Sequence, residues 1–336
     1  MTDESVAGKS PAEAEGLDPT AAPAPASVSG KPRLTLIVNP IATTVSTKRT
    51  AQIREVLSRS FEVTVQRTEA QGHATELAQE AVLGGAEVVA VYAGDGTTNE
   101  AIRALAGTQT ALAHLPGGNA SVLARMLGMG SDGVKAAQRV GELGGATRTI
   151  DLGRVEADGG ESRPFSFTAG VGLDGAVVKL VDSDLARKHR FRWGAFWMEA
   201  VRLAREEYIG AEPMLTVESG GVSKRGVTGI IQNAEAYTYL GPRPLTVGDG
   251  ATLTSGTLAA SALLSGLGYR DIPAITFRTV GPVKATGHKR IDGLPASTEV
   301  WVRCDRAMPM QVDGDYWCDV TNARFTVQPA ALRVVA

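Results

Sequence analysis

Cysteine and histidine are scarce in this chain of 336 residues, with two of the first and four of the second. Cys304 and Cys318 cannot make a disulfide framework, and no spacing of cysteine with histidine matches a zinc site. A reduced, intracellular compartment is therefore expected. Long apolar runs are missing as well: none approaches the roughly 20 residues that a helix needs to cross a bilayer. The first residues lack the basic then apolar layout of a signal peptide. Charge of one sign is not in surplus either. A formal net charge of −2 gives no reason to expect nucleic acid as a partner. Residues 1 to about 31 have almost no large apolar side chains and are rich in Ala, Pro, Glu and Ser, so they cannot bury enough surface to offset the entropy of ordering. A disordered tail is predicted there, with the fold starting at Arg33.

What remains is ordinary for a soluble globular protein, 43% hydrophobic and 21% charged, and long enough for two domains with well-buried cores. One stretch organises it. The apolar, β-branched run Ala86-Glu87-Val88-Val89-Ala90-Val91-Tyr92 reads as a buried parallel strand. It ends at Ala93-Gly94-Asp95-Gly96-Thr97-Thr98-Asn99-Glu100, and a helix follows with Ala101, Ile102 and Leu105 on one face and Thr98 or Asn99 as its cap. Glycines let a backbone approach a ligand closely, and the N–H groups of a helix start suit an anion such as phosphate. Asp95 is then placed to hold Mg2+ against that phosphate. The plainer alternative is a tight turn in which Asp95 only caps.

The rest of the first half alternates as a doubly wound α/β layer does. Strands are predicted at Leu34–Val38, Phe61–Gln66 and Ala111–Leu115, and helices at Thr47–Ser58, His73–Leu83 and Ser121–Leu127. Ligands on such sheets bind beyond the carboxyl ends of the strands. Asn39-Pro40 with Thr43 and Thr44, Thr68 before Gly72-His73-Ala74, and Pro116-Gly117-Gly118-Asn119-Ala120-Ser121 all fall at that edge. Each alone is loop punctuation; with the Gly-Asp-Gly turn they predict a pocket.

These loops in this order resemble the diacylglycerol kinase catalytic family, which is grouped with sphingosine kinases and NAD kinases. That family has Asn-Pro after the first strand, Thr and Gly-His-Ala around the second, Gly-Gly-Asp-Gly-Thr-x-Asn-Glu, and Leu-Pro-x-Gly-Thr-x-Asn with Ala-Arg. Here Ala93 replaces the first glycine, Ile41-Ala42-Thr43-Thr44 stands for the usual Ser-Gly-x-Gly, and Asn119 and Ser121 stand where the family has Thr and Asn. The resemblance implies ATP and Mg2+ as cofactors, with nucleotide contacts from Asn39, Pro40, Thr43, Thr68, Gly94, Asp95, Gly96, Thr97, Thr98, Asn99, Glu100, Gly118 and Asn119.

After Ile150-Asp151-Leu152-Gly153 the texture changes to short strands. Thr168–Asp174 resembles the segment that opens the family's second domain. A helix is predicted from Trp193 to Tyr208, preceded by the basic rim Arg187, Lys188, His189, Arg190 and Arg192, which is either a solvated charged face or an edge that rests on anionic lipid. Val222–Gln232, Leu258–Leu264 and Val300–Cys304 alternate as antiparallel strands. The resemblance implies a β-sandwich here, with a structural Mg2+ held by an Asp-Asp-Gly; the matching Thr254-Ser255-Gly256 lacks both carboxylates, with Asp249 nearby. It also implies that Asp315 of Asp313-Gly314-Asp315, where the family has Glu, is the catalytic base, although Asp-Gly is equally a favoured hairpin turn.

The expected architecture is thus α/β: a tail at 1–31, a doubly wound nucleotide-binding domain at 32–150 completed by about 328–336, and an antiparallel β-sandwich at 151–327. The expected function is an ATP-dependent lipid kinase acting on a hydroxyl of a diacylglycerol-like or long-chain-base lipid, cytoplasmic and peripheral at the inner membrane face, with a homodimer left open. A kinase of a soluble acceptor such as NAD and a nucleotide-binding regulatory protein are the alternatives.

Overall fold

The strand β3 (Val88–Ala93) is buried at all six positions, as its unbroken apolar run requires in a sheet covered on both faces. The computed structural model describes residues 30–183, 202–264 and 285–336. The expected tail to residue 29, the basic rim and residues 193–201 of the expected helix lie outside them. Ahead of β3 come β1 (Arg33–Val38), α1 (Thr47–Leu57), β2 (Glu62–Arg67) and α2 (His73–Leu83), and after it α3 (Asp95–Leu105) and β4 (Ala111–Pro116). The strands pair in parallel in the order β2, β1, β3, β4. A short α4 (Val122–Met126) follows, then α5 (Gly133–Leu143), whose buried face of Gly133, Ala136, Ala137 and Val140 is not foreseen above. Asp132 caps α5 by accepting the Val134 and Lys135 N–H groups, and Gly144 ends it in the left-handed region.

The second half runs through β5 (Thr147–Ala157), β6 (Ser162–Phe165), β7 (Thr168–Gly172), α6 (Leu173–Ser183), β8 (Leu215–Ser219), β9 (Val222–Gly226), β10 (Thr228–Gln232), β11 (Thr238–Leu240), β12 (Arg243–Leu245), β13 (Leu258–Leu263), β14 (Ile291–Ser297), β15 (Glu299–Val312) and β16 (Asp315–Val335). The segment expected as one strand from Val222 to Gln232 is two, β9 and β10, parted at Val227, whose N–H goes to the Leu263 carbonyl. Residues Ala204–Tyr208 close the expected long helix as a π-helical turn.

The fold class is mixed α/β, with the parallel layer continued by antiparallel strands. One continuous sheet runs β14, β13, β10, β7, β15, β16, β4, β3, β1, β2. The 21-residue β16 makes this continuity: it pairs antiparallel with β15 and β5, then ends parallel to β4 at Val334 opposite Leu112. Its register against β5 shifts between Gln328 and Leu332, where Ala330 takes a left-handed φ of 51°. That irregularity bends the strand from one layer into the other. Two cores result. One gathers β1, β3, β4 and their helices with Leu332, Val334 and Val335, and the other is centred on Phe165 and Phe325, whose rings meet edge to face at 6.2 Å.

Candidate active site

The Gly-Asp-Gly turn begins its helix earlier than expected. Gly94 is the N-cap, in extended conformation, and α3 starts at Asp95, so neither Thr98 nor Asn99 caps it. Thr98 N–H makes the first helical bond, to the Gly94 carbonyl at 3.1 Å. The N–H groups of Asp95, Gly96 and Thr97 therefore open the helix without intrahelical partners, the arrangement that receives a phosphate.

Two glycine turns pack backbone on backbone to shape this end. A Cβ on Gly118 would meet the Gly94 Cα at 2.7 Å, and one on Gly117 would meet Ala93 Cα at 2.8 Å. Thr44 binds the Gly117 carbonyl through both its N–H, at 3.0 Å, and its hydroxyl, at 3.1 Å. Asn39 donates to the Thr97 hydroxyl at 2.9 Å. Three loops thus meet at one edge of the sheet.

Within the predicted contact set the structure draws a division. Gly94, Asp95, Gly96 and Thr97 line the first turn with Asn39 and Gly118 beside it, while Pro40, Thr43 and Asn119 are exposed on the flanking loops. Thr68 is buried at the end of β2. Thr98 and Asn99 turn inward, against the expectation that they contact nucleotide, and Glu100 is half-buried. Thr98 and Asn99 are each 1% exposed, and the Thr98 hydroxyl goes back to the Gly94 carbonyl. Glu100 accepts the Ala74 N–H at 3.3 Å and holds the start of α2. Such helix positions point toward neighbouring elements rather than along the axis to a ligand at the end.

Asp95 is half-buried and does two things. Its carboxylate accepts the Val122 N–H at 3.0 Å and the Leu123 N–H at 3.3 Å, so it caps α4 from the start of α3. Burial pushes its pKa up to about 7; the two backbone bonds oppose this, and the negative charges of Asp313 and Asp315 add to it. Each oxygen keeps a lone pair, and a hard cation would relieve the accumulated charge. Among the described residues no three His, Cys, Asp or Glu side chains form a group able to hold a metal alone. Asp95 would be the protein group that holds Mg2+, an ion that commonly takes only one or two carboxylates from its protein.

The turn at residues 313–314 is a hairpin. Asp313 and Gly314 join β15 to β16 with φ of 50° and 84°, as a type I′ turn requires. It also faces the Gly-Asp-Gly turn: a Cβ on Gly96 would lie 2.7 and 2.8 Å from the two Asp315 oxygens. Asp95 and Asp315 therefore border the same helix start. Asp313, which sequence reasoning passed over, is buried and anchors the hairpin. It accepts from Ser166 N–H and hydroxyl, Phe167 N–H, Thr168 N–H and Asn99 Nδ2. The Asp-Gly pair marks the turn in the sequence, but nothing local shows that this carboxylate is buried. Also missed was Arg163 of β6, which meets Asn99 and Asp315.

The Thr254-Ser255-Gly256 loop is closed by protein groups. Asp151 accepts the Gly256 N–H at 2.7 Å and the Ala330 N–H at 2.8 Å, and Asp249 accepts from the Thr286 hydroxyl at 2.8 Å. A polar hollow of about 650 Å3 between Thr108, Arg148 and Arg333 lies at the opposite edge of the sheet and holds none of the predicted site residues.

Comparison with known proteins agrees with the motifs. Residues 33–155 match the family model of the diacylglycerol kinase catalytic domain. Over 264 residues, 78% of this chain and 81% of the relative, the sequence is 27% identical to a diacylglycerol kinase of Mycobacterium tuberculosis (strain ATCC 25618 / H37Rv). It is 32% identical to a diacylglycerol kinase of Bacillus subtilis (strain 168) over 128 residues, 37% of this chain and 42% of that one. The crystal structure of a diacylglycerol kinase from Bacillus anthracis str. Sterne shares the fold, with a TM-score of 0.66 at 18% identity over 90% of this chain and 96% of the other. The resemblance carried by the sequence motifs is borne out.

Proposed function

From a diacylglycerol kinase-like catalytic domain at residues 33–155, we propose that this protein is an ATP-dependent lipid kinase that transfers the γ-phosphoryl group to a hydroxyl of a diacylglycerol-like or long-chain-base lipid. The observation that carries the reading is the seat of Asp315 against Gly96, which brings a carboxylate from the far end of the chain onto the turn that would receive the phosphates. Phosphoryl transfer is chiefly positioning and charge stabilisation, and the residues divide accordingly. The first-turn N–H groups of α3 cradle the phosphates, and the Gly94–Gly118 approach gives them room. Mg2+, held on the protein side by Asp95, would supply charge neutralisation of the phosphate oxygens. Asp315 accepts the proton of the acceptor hydroxyl as that oxygen attacks the γ-phosphorus, and the bond to the β-phosphate oxygen breaks.

In this reading residues 32–150 with about 328–336 bind nucleotide and 151–327 bind the lipid. No described helix is long and apolar enough to cross a membrane. The lipid would be met at the membrane surface. The test is labelled ATP offered with diacylglycerols, long-chain bases and NAD to the wild type and Asp315→Asn. Label in a lipid phosphomonoester, reduced about a hundredfold or more in the variant with ATP binding kept, is the expected result. Label in NAD, or binding with no transfer to any acceptor, would overturn it.

A further inference from the structure

We propose that Arg163 is a positioning residue: its guanidinium fixes the Asp315 carboxylate on the phosphate turn by joining it to Asn99 of α3. The proposal deepens the lipid-kinase reading and, for turnover, rests on it.

Arg163 has a side chain only 7% exposed, yet it carries a permanent charge and five N–H donors. A buried guanidinium must be compensated or it destabilises the fold. One nitrogen, Nε, donates to Asn99 Oδ1 at 3.1 Å, and Nη2 reaches Asp315 Oδ2 at 3.4 Å. The acid end of this pair is 34% exposed at the helix start, so the pair has one foot in the core and one in the cleft.

Asn99 makes the link directional. Its Nδ2 donates to Asp313 Oδ2 at 2.8 Å and to the Pro164 carbonyl at 3.2 Å, which leaves Oδ1 facing Arg163. Turning the amide over would set an N–H against Arg163 Nε–H and an oxygen against the Asp313 carboxylate, two repulsions in place of two bonds. The orientation is therefore determined. A closed circuit follows: Arg163 to Asn99, Asn99 to Asp313, two residues along the chain to Asp315, and back to Arg163. β6 holds the arginine's backbone still because Phe165, two residues on, packs against Phe325 in the second core.

Other charges face the same carboxylate. Asp95 and Arg103, both from α3, lie within electrostatic reach of Asp315. Arg103 is exposed and is repelled by Arg163, with burial as the larger cause lowering its own pKa. Among the described residues Arg163 combines burial, contact and a second anchor. A cation here makes the base harder to protonate and aims it.

Two readouts test this on the full-length protein with Arg163→Met and the charge-keeping Arg163→Lys. In the first, protein labelled with 13C at aspartate carboxyls is titrated by NMR, and Asp315→Asn identifies the resonance. The Asp315 midpoint is expected to move to higher pH in Arg163→Met and to return part of the way in Arg163→Lys. An unmoved midpoint overturns the link whether or not the protein is a lipid kinase. In the second, kcat should fall about a hundredfold in Arg163→Met, KM for ATP should stay within threefold, and the acid limb of the pH–rate profile should shift upward. A moved midpoint with unchanged kcat would leave Arg163 a structural ion pair and sink the positioning role. If Arg163→Met is not recovered folded, Arg163→Lys decides: wild-type kcat and an unmoved acid limb in it reject the proposal. Wild-type turnover in Asp315→Asn would instead strike the base assignment, with the NMR result still judging the link.

Discussion

Replacing Gly96 by alanine separates the stability of the phosphate turn from its chemistry. Gly96 sits in the first turn of α3 with an ordinary helical backbone, so alanine loses nothing in conformation and gains up to about 1 kcal/mol in helix propensity. The new methyl group has one near neighbour, the Asp315 carboxylate, whose oxygens would lie 2.7 and 2.8 Å away. Ordinary contact requires the carboxylate to retreat by roughly 0.7 Å, which the end of a side chain can do at low cost. A displacement of this size at a general base is worth roughly ten- to a hundredfold in rate. Gly96→Ala should therefore keep its Tm within about 3 °C of wild type while kcat falls in that range. Thermal unfolding followed by circular dichroism, alongside steady-state kinetics, reads both. A folded variant with kcat within threefold of wild type would refute the placement of Asp315 at the reacting hydroxyl. A large drop in Tm would show instead that the carboxylate cannot yield.

Asp95→Asn keeps a carbonyl oxygen for one of the two α4 N–H groups that Asp95 caps and loses the charge, so transfer should be abolished while circular dichroism still shows a folded protein; chelation of divalent cations should abolish transfer in wild type and be reversed by Mg2+. Wild-type turnover in Asp95→Asn would remove the metal assignment. His114, at 0% exposure in β4, has neither ring nitrogen within hydrogen-bonding geometry of a described partner. Burial lowers its pKa to about 4, and a weak approach to the Ala93 backbone does not offset this. The unfolded chain then binds the proton first, so this contribution is complete above pH 6.5 and about 3 kcal/mol is lost as pH falls toward 4. Asp95, raised to about 7, acts in the opposite sense over the same window, so the effect is read as the difference in urea-unfolding slope against pH between wild type and His114→Gln. Parallel slopes would show that His114 does not titrate as argued.

The first half was legible because its signals are local. All-buried runs such as Val88–Ala93 and the 3.6-residue spacing of Ile53 and Leu57 or of Leu77 and Ala81 fix strands and helices without knowledge of partners. The start of α3 was misplaced by four residues or so because Gly94, with no side chain, caps it, while hydroxyl and amide residues downstream looked like better caps. The motif resemblance places Thr98, Asn99 and Glu100 among the nucleotide contacts, and a motif carries no information on which way a side chain points. Their inward direction depends on what lies against the helix, and Asn99 meets groups 64 and 214 residues away. Arg163 belongs to the same class: a single arginine on a four-residue strand carries no local pattern, and its meaning appears only when Asp315, 152 residues later, is folded beside it.

That long-range assembly leaves three carboxylates, Asp95, Asp313 and Asp315, around one helix start before any phosphate is bound. Each is handled differently. Asp313 is met by five hydrogen bonds, which oppose the rise that burial imposes on it. Asp315 is met by Arg163. Asp95 has two backbone N–H groups, not enough to hold its pKa below about 7. A nucleotide triphosphate bound at the N–H groups of Asp95, Gly96 and Thr97 would add negative charge beside these three carboxylates. That charge can be balanced by a proton on Asp95 or by a metal ion bound to it, and the two exclude each other. A proton would remove the carboxylate's charge; a divalent cation would hold Asp95 ionised and bind the phosphate oxygens as well. Only the second balances both charges at once, so in the proposed kinase the burial that makes Asp95 costly to ionise alone would favour nucleotide and divalent cation entering together.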